Sequence, residues 1–360
     1  MEGRGRGWLP FVGMITVVLT LASNMVVMKM AMSDGMNKYT MAFYTNALAS
    51  LVLLPCPFII SRRSGSSPPV TFSVLRKIFL LAVAGFAAQM CGYFGIDYSS
   101  PLLGMAMMNL IPAFTFVLAI ILRMEKVNWK SSSSQAKLVG TIISILGASV
   151  VTLYKGPPIL GSSLHPSVQL RHLPFLLPQQ SNWVLGGFLL AAQAFLLSGS
   201  YVFQAFILKD YPEVMNIMFY VMFFLTILSG PFSFILAREP ESWILKVDMG
   251  LISILYTAVV VIAFGSTLGV WCVKQTGPVL VSMFKPLGIV FAIGLGFIFL
   301  GETLHIGSLI GAIVIVMGFY LAVWGKSNEE EKTIEGSVVE ESLASTGHKI
   351  PLLQDQPSSV

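Results

Sequence analysis

Charged residues are scarce in this chain: Asp, Glu, Lys and Arg make up 11% of it against 55% hydrophobic residues, where a soluble domain carries about 25% charge. That deficit excludes an ordinary water-exposed globule and leaves lipid to solvate much of the surface. Cysteine is also rare. The three present, Cys56, Cys91 and Cys272, are an odd number and all fall in apolar runs, so they build no disulfide framework and read as small packing residues. The four histidines, His165, His172, His305 and His348, show no metal-ligand spacing with Cys or carboxylates, so no metal is expected. Enzyme signatures and cofactor motifs are missing as well. The triplet Gly325-Lys326-Ser327 ends like a phosphate loop, but Tyr320 stands where that loop needs its first Gly. The net charge of +5 is spread over short connections without an aromatic-interleaved basic patch, which argues against a nucleic-acid partner.

Long apolar runs fill most of the chain. A bilayer-crossing helix needs about 20 mainly apolar residues, and ten such runs are read at 8–30, 39–60, 77–97, 101–122, 136–154, 184–207, 214–236, 250–273, 278–300 and 305–325. The first is too long for a signal-peptide core and is expected to stay as an anchor. With alternating sides, 15 of the 22 Lys and Arg share the side of the N-terminus, six lie opposite, and Lys285 falls inside a run. The positive-inside rule then places both termini in the cytosol.

The second half echoes the first. Asn24 falls on Ser200, Asp34 on Asp210 and Pro55 on Pro231, each 176 apart; Gly95 falls on Gly269 and Pro112 on Pro286, each 174 apart. Gly140 and Gly147 fall on Gly311 and Gly318, 171 apart. Five runs per copy turn the second copy upside down, the inverted-repeat plan of secondary transporters. The expected organisation is an all-α membrane protein with a five-helix repeat over 8–154, an exposed linker over 155–183, a second repeat over 184–325, and a disordered tail over 326–360. Leu352 and Leu353 make a weak dileucine, since His348 replaces the usual acidic residue.

Polar residues inside a membrane are costly and are functional candidates by default. Thr16, Thr20 and Asn24 form one stripe, Gln89, Tyr93 and Asp97 another, and Gln193, Ser200 and Gln204 a third, with Thr267 and Trp271 adding an eighth-run contribution. The competing reading is helix-to-helix hydrogen bonding. Asn109 and Pro112 sit mid-run as counterparts to the Pro286 region, and paired Pro-interrupted helices point to a central site. Lys285 is the most unusual residue. Its ammonium, beside a carbonyl freed by Pro286, suits a substrate carboxylate or a gating role, with snorkelling to the interface as the alternative. The candidate binding set is Asn24, Gln89, Tyr93, Asn109, Gln193, Ser200, Trp271 and Lys285, with Pro112 and Pro286 as helix breaks.

The runs NLIPAFTFVLAIILRMEKV (109–127), GPVLVSMFKPLGIV (277–290) and GETLHIGSLIGAIVIVMGFYLAVWGK (301–326) resemble the plant nodulin-21-like proteins. These are also called Walls-Are-Thin-related or UMAMIT proteins, in the EamA branch of the drug/metabolite transporter superfamily. The resemblance extends over about residues 8–326 and implies a ten-helix fold carrying amino acids or related small organic compounds such as auxin. It further implies a facilitator of the plasma membrane first, or of vacuolar or other endomembranes. Many relatives have a Tyr-Arg pair in the second run, whereas here Tyr44 is followed by Thr45 and Asn46. The function expected is alternating-access carriage of amino acids, with auxin or another aromatic or heterocyclic metabolite as the alternative cargo. A scaffold or signalling protein on a transporter fold is the alternative of another class. The expected partners are the bilayer and one small solute, and a homo-oligomer is compatible with the sequence.

Overall fold

The computed structural model describes residues 9–57, 70–99, 101–124, 131–154, 156–160, 180–245, 247–300 and 304–347. Ten helical spans are long and apolar enough to cross a membrane: Leu9–Ser33, Lys38–Pro57, Phe72–Tyr98, Leu103–Ile121, Ser132–Leu153, Val184–Asp210, Val214–Leu236, Met249–Thr276, Pro278–Phe299 and Ile306–Lys326, hereafter spans 1–10. Helices are what such sequences must form, because lipid offers no partner to an open backbone group. Large apolar side chains such as Phe188, Ile227, Phe234, Ile298 and Met317 stay exposed on the outside of the bundle, as a lipid-facing surface requires.

The packing is two-fold. Spans 2, 4 and 5 each lie against their own counterparts, spans 7, 9 and 10. The largest of the other contacts come in matched pairs: span 3 on span 6 answers span 8 on span 1, span 4 on span 6 answers span 9 on span 1, and span 3 on span 7 answers span 8 on span 2. Two inverted five-helix repeats related by one pseudo-two-fold axis produce that pattern. Phe11, Phe284 and Phe319 make a ring cluster from spans 1, 9 and 10 with centroids 6.1 and 4.7 Å apart, so Leu9 and Lys326 share one face, the terminal face. On the opposite, linker face Pro158–Leu160 pairs antiparallel with Leu304–His305.

Spans 5 and 10 make the closest contact. Gly140 and Gly147 on one and Gly311, Gly318 and Gly325 on the other let the two backbones touch. A Cβ at Gly140 would stand 2.5 Å from the carbonyl oxygen of Gly318, one at Gly147 2.7 Å from the nitrogen of Ile315, and one at Gly318 2.5 Å from the nitrogen of Ser144. Small residues at a membrane interface permit this approach and let dispersion hold the pair without a hydrophobic driving force. The glycines that matched across the repeats therefore pack across the two-fold axis.

Spans 4 and 9 are each broken near one end. Helix stops at Met108 and restarts at Ile111 in span 4, and stops at Met283 and restarts at Leu287 in span 9. Pro112 and Pro286 cause both breaks, since each lacks a backbone N–H. The chain tightens to three-residue bonds there, Asn109 N to Ala106 O and Lys285 N to Ser282 O at 3.2 and 3.0 Å. Spans 8 and 9 meet at Gly277, whose φ of 83° needs a residue without Cβ.

Two boundary expectations change. Helix of span 10 runs on to Gly347, where a disordered tail from 326 was expected. No Pro and a single interior Gly interrupt residues 327–346, the Glu and Lys there are good helix formers, and a helix already nucleated in the span extends at little cost. The linker expected over 155–183 gives way to helix at Gln180, and its Pro158–Leu160 forms a strand. His165, His172, Glu125 and Glu302 lie outside the described residues, as does the chain after Gly347.

Replacing Gly140 with Val should destabilise the protein by several kcal/mol, because the new carbons meet backbone that cannot move aside. Gly294, with nothing within 4 Å of a built Cβ, serves as the reference. A detergent melt followed by fluorescence size-exclusion chromatography should show a lower Tm or loss of the monodisperse peak for Gly140→Val, and little change for Gly294→Ala.

Candidate functional site

A cavity of about 240 Å³ lies between spans 1, 3, 6, 7, 8 and 9, in the half of the bundle next to the terminal face. It is smaller than the roughly 300–1,000 Å³ of pockets for drug-sized ligands, so it suits one small solute. Most of its wall is apolar, supplied by residues such as Val17, Leu81, Met222 and Val270. Its polar groups are Ser200, Tyr201, Gln204, Ser266 and Lys285. Among the described residues no Asp or Glu lines it.

Lys285 lies in the break of span 9, seven residues from Pro278 and so about 10 Å along the helix. Its Nζ sits 5.4 Å from the ring centroid of Tyr201, within range of a cation–π contact. The carbonyl expected to be free beside it is not free. Ser282 O, which loses the Pro286 donor, accepts the Lys285 backbone N–H at 3.0 Å, because the three-residue turn replaces the missing bond.

The serines offer the complementary chemistry. Ser200 Oγ donates to Leu196 O at 2.9 Å and Ser266 Oγ donates to Val261 O at 3.3 Å. Each hydroxyl proton is thus used within its own helix, and what remains toward the cavity is oxygen lone pairs. The site presents one cationic donor, two serine acceptors, the Gln204 carboxamide and the Tyr201 hydroxyl in a mostly apolar wall.

Of the residues expected from sequence, the structure puts Ser200 and Lys285 on the cavity. Gln89, Tyr93, Gln193 and Asn24 lie in the linker-side half instead. Gln89 Nε2 donates to Tyr93 Oη at 3.1 Å, and the Tyr93 ring meets Tyr39 edge-on at 5.6 Å. Lys38 pairs with Asp97 at 2.5 Å beside them. Asn24 Oδ1 accepts from Thr257 at 2.7 Å, and the Gln193 amide lies over Gly92, where a Cβ would be 2.7 Å from its Cδ. Asn109, in the break of span 4, is buried and its Nδ2 has no partner among the described residues. Pro112 and Pro286 face each other across a small gap with Thr141 and Ser144.

Trp271 packs on the apolar core, and the eighth-run stripe through Thr267 and Trp271 gives way to Ser266, Gly269 and Val270 on the cavity. The reason is a π-helical stretch, Thr257–Ser266. Its wider turn rotates everything after it away from the 3.6-residue period used to read the stripe. Ser266 was missed for that reason, and Tyr201, on the α-helical span 6, because an aromatic in an apolar run carries no signal of its own.

Counterpart residues in the two halves of the bundle are packed unequally. A Cβ at Gly95 would press on Leu190, 2.8 Å from its Cγ and 3.2 Å from its backbone nitrogen, and one at Gly186 would lie 3.0 Å from the Gly95 carbonyl. Spans 3 and 6 are therefore shut against each other on the linker side. At the repeat counterpart of Gly95, Gly269, a Cβ would meet only Val17, at 3.8 Å. That looser contact borders the cavity.

A ten-span bundle of inverted repeats, holding a small cavity between them, has the architecture of a membrane carrier. Sequence comparison agrees: residues 8–153 and 184–324 match the EamA-like transporter family, and the chain belongs to that family, a class of membrane transporters of small solutes. Within it the chain is one of the WAT1-related proteins. It is 41% identical to WAT1-related protein At5g40240 of Arabidopsis thaliana over 92% of this chain and 91% of that one. It is 40% identical to WAT1-related protein At4g15540 of the same plant over 95% of each. A solved crystal structure shares the fold with a TM-score of 0.66 at 16% identity, covering 89% of this chain and 98% of the other.

A thiol at position 266 should react with a membrane-impermeant methanethiosulfonate reagent applied to the terminal face, whereas a thiol at 267 should not. Comparing the modification rates of Ser266→Cys and Thr267→Cys in a cysteine-free background checks the π-helical rotation. Equal rates would put the two side chains on one face and contradict it.

Proposed function

We propose that this protein carries amino acids across its membrane by alternating access, with Lys285 taking the solute carboxylate and the Ser200 and Ser266 oxygens accepting from its ammonium. The observation that supports this is the pairing of one buried-side cation with two hydroxyls whose protons are already used. A zwitterion meets both demands. Tyr201 orients the ammonium of Lys285 through its ring, and the apolar wall admits a small side chain. The closed linker half and looser terminal half correspond to one end-state of a carrier whose repeats exchange roles. In this reading the terminal face is cytosolic, supported by the concentration of Lys and Arg on the side of both termini, and the membrane is the plasma membrane, as the family resemblance implies.

A second cargo is favoured by one observation: the absence of any carboxylate from the cavity lining. An aromatic or heterocyclic monocarboxylate such as auxin needs only the cation and the apolar wall. Competition between labelled amino acids and such monocarboxylates in liposomes separates the two, and complete absence of flux would favour a scaffold role.

Lys285→Met keeps the length and removes the charge. Losing a charge-assisted bond worth about 1.5–3 kcal/mol should raise the apparent KM for amino acids by roughly tenfold to a hundredfold. Arg should restore it only in part, since a planar fork does not fit the place of a compact ammonium. The measurement is flux per correctly inserted protein in liposomes, and equal flux for wild type and Lys285→Met would reject the assignment.

A further inference from the structure

The cavity has a counterpart that is shut. Applying the repeat offsets to its lining carries Val17 to Gln193, Ser200 to Asn24, Val221 and Met222 to Thr45 and Asn46, and Gly269 to Gly95. Every one of these lies in the linker-side half. Three of them are more polar than the residues they answer, Gln193 and Thr45 standing for valine and Asn46 for methionine, while Lys285 and Gln204 are answered by Ile111 and Met28.

Polar groups are costly to bury in a membrane unless they are satisfied, and in this half Asn46 Nδ2, Asn109 Nδ2 and Ser253 Oγ have no partner among the described residues. Asn46 is 6% exposed, and its carboxamide nitrogen is buried without a hydrogen-bond partner among the described residues. It stands on span 2 where that span packs against span 7 and the π-helical stretch of span 8. Asn24, its neighbour in the shut half, is occupied by Thr257 from the same stretch. Packing explains a hydrogen-bonded Asn24. The Asn46 amide donor has no such partner among the described residues, and a solute admitted to an opened half would supply one.

We infer that Asn46, with Asn24 and Gln193, forms the polar wall of a second cavity that opens on the linker side when the present one closes, with the Asn46 amide donating there to the carboxylate of the solute. The two end-states then hold the same carboxylate by different groups, an ammonium on the terminal side and a neutral amide on the linker side. This inference rests on the alternating-access reading.

The test uses the full chain in oriented liposomes with Cys56, Cys91 and Cys272 replaced by Ala. Single thiols are placed at Asn46→Cys, at Ser200→Cys, and at Thr45→Cys as a second reporter should position 46 not tolerate the change. An impermeant methanethiosulfonate is applied to one face at a time. Gly95→Val is then added to wedge spans 3 and 6 apart. Labelling at 46 or 45 from the linker face should rise by about tenfold and labelling at 200 from the terminal face should fall by a similar factor, the population shift an overpacked contact imposes. Labelling at 46 and 45 from the terminal face alone would place them on the present cavity and overturn the inference. Silence at 46 and 45 from the linker face, with or without a fall at 200, would overturn it as well. No solute is added, so an error about the cargo leaves the labelling pattern intact and shows only as absent amino-acid flux.

Discussion

Backbone contact between spans 5 and 10 is the constraint around which the bundle is arranged. In lipid, apolar side chains gain little by leaving their surroundings, so helices are held by close fit. Five glycines spaced at seven residues along their helices, Gly140 and Gly147 against Gly311, Gly318 and Gly325, supply the closest fit among the described residues. They sit on the pseudo-two-fold axis, so the same contact is made twice, once from each repeat. A rigid antiparallel post of this kind fixes the orientation of the two repeats while leaving the remaining spans able to differ between them.

That difference is where transport chemistry becomes available. Counterpart residues in the two repeats occupy unlike environments: Gly95 is pressed to Leu190 while Gly269 is loosely covered. Span 8 is π-helical over Thr257–Ser266 where the matching part of span 3 is a continuous α-helix. Lys285 occupies the helix break that Pro286 makes, where an irregular backbone lines the cavity.

The linker-side half is closed by polar and aromatic contacts as well as by glycine. Lys38 and Asp97 pair where both remain partly exposed, so this bond is modest in energy and separable at low cost. Tyr39 and Tyr93 stack beneath it, and Gln89 ties Tyr93 to its own helix. A gate has to be stable enough to seal and weak enough to open, and an ion pair at the water boundary above aromatic edges meets that need.

Ten spans, their division into inverted halves and the Pro-linked breaks were all legible in the chain, because each depends on a local or periodic property: apolar length, recurrence at a fixed offset, and a missing backbone donor. Ser200 and Lys285 were legible for the related reason that polarity inside an apolar run is rare. Sequence could not show which half of the bundle is open, since counterpart residues such as Gly95 and Gly269 are identical in type and differ only in what presses on them. It also could not show Ser266, because a π-helical stretch reset the period by which faces are read, or Tyr201, because an aromatic in an apolar run carries no signal of its own. The unmet amide of Asn46 and the satisfied carbonyl of Ser282 are likewise properties of packing. Composition and repetition settle what spans the membrane, whereas a site between helices depends on which neighbours meet, and the folded bundle alone decides that.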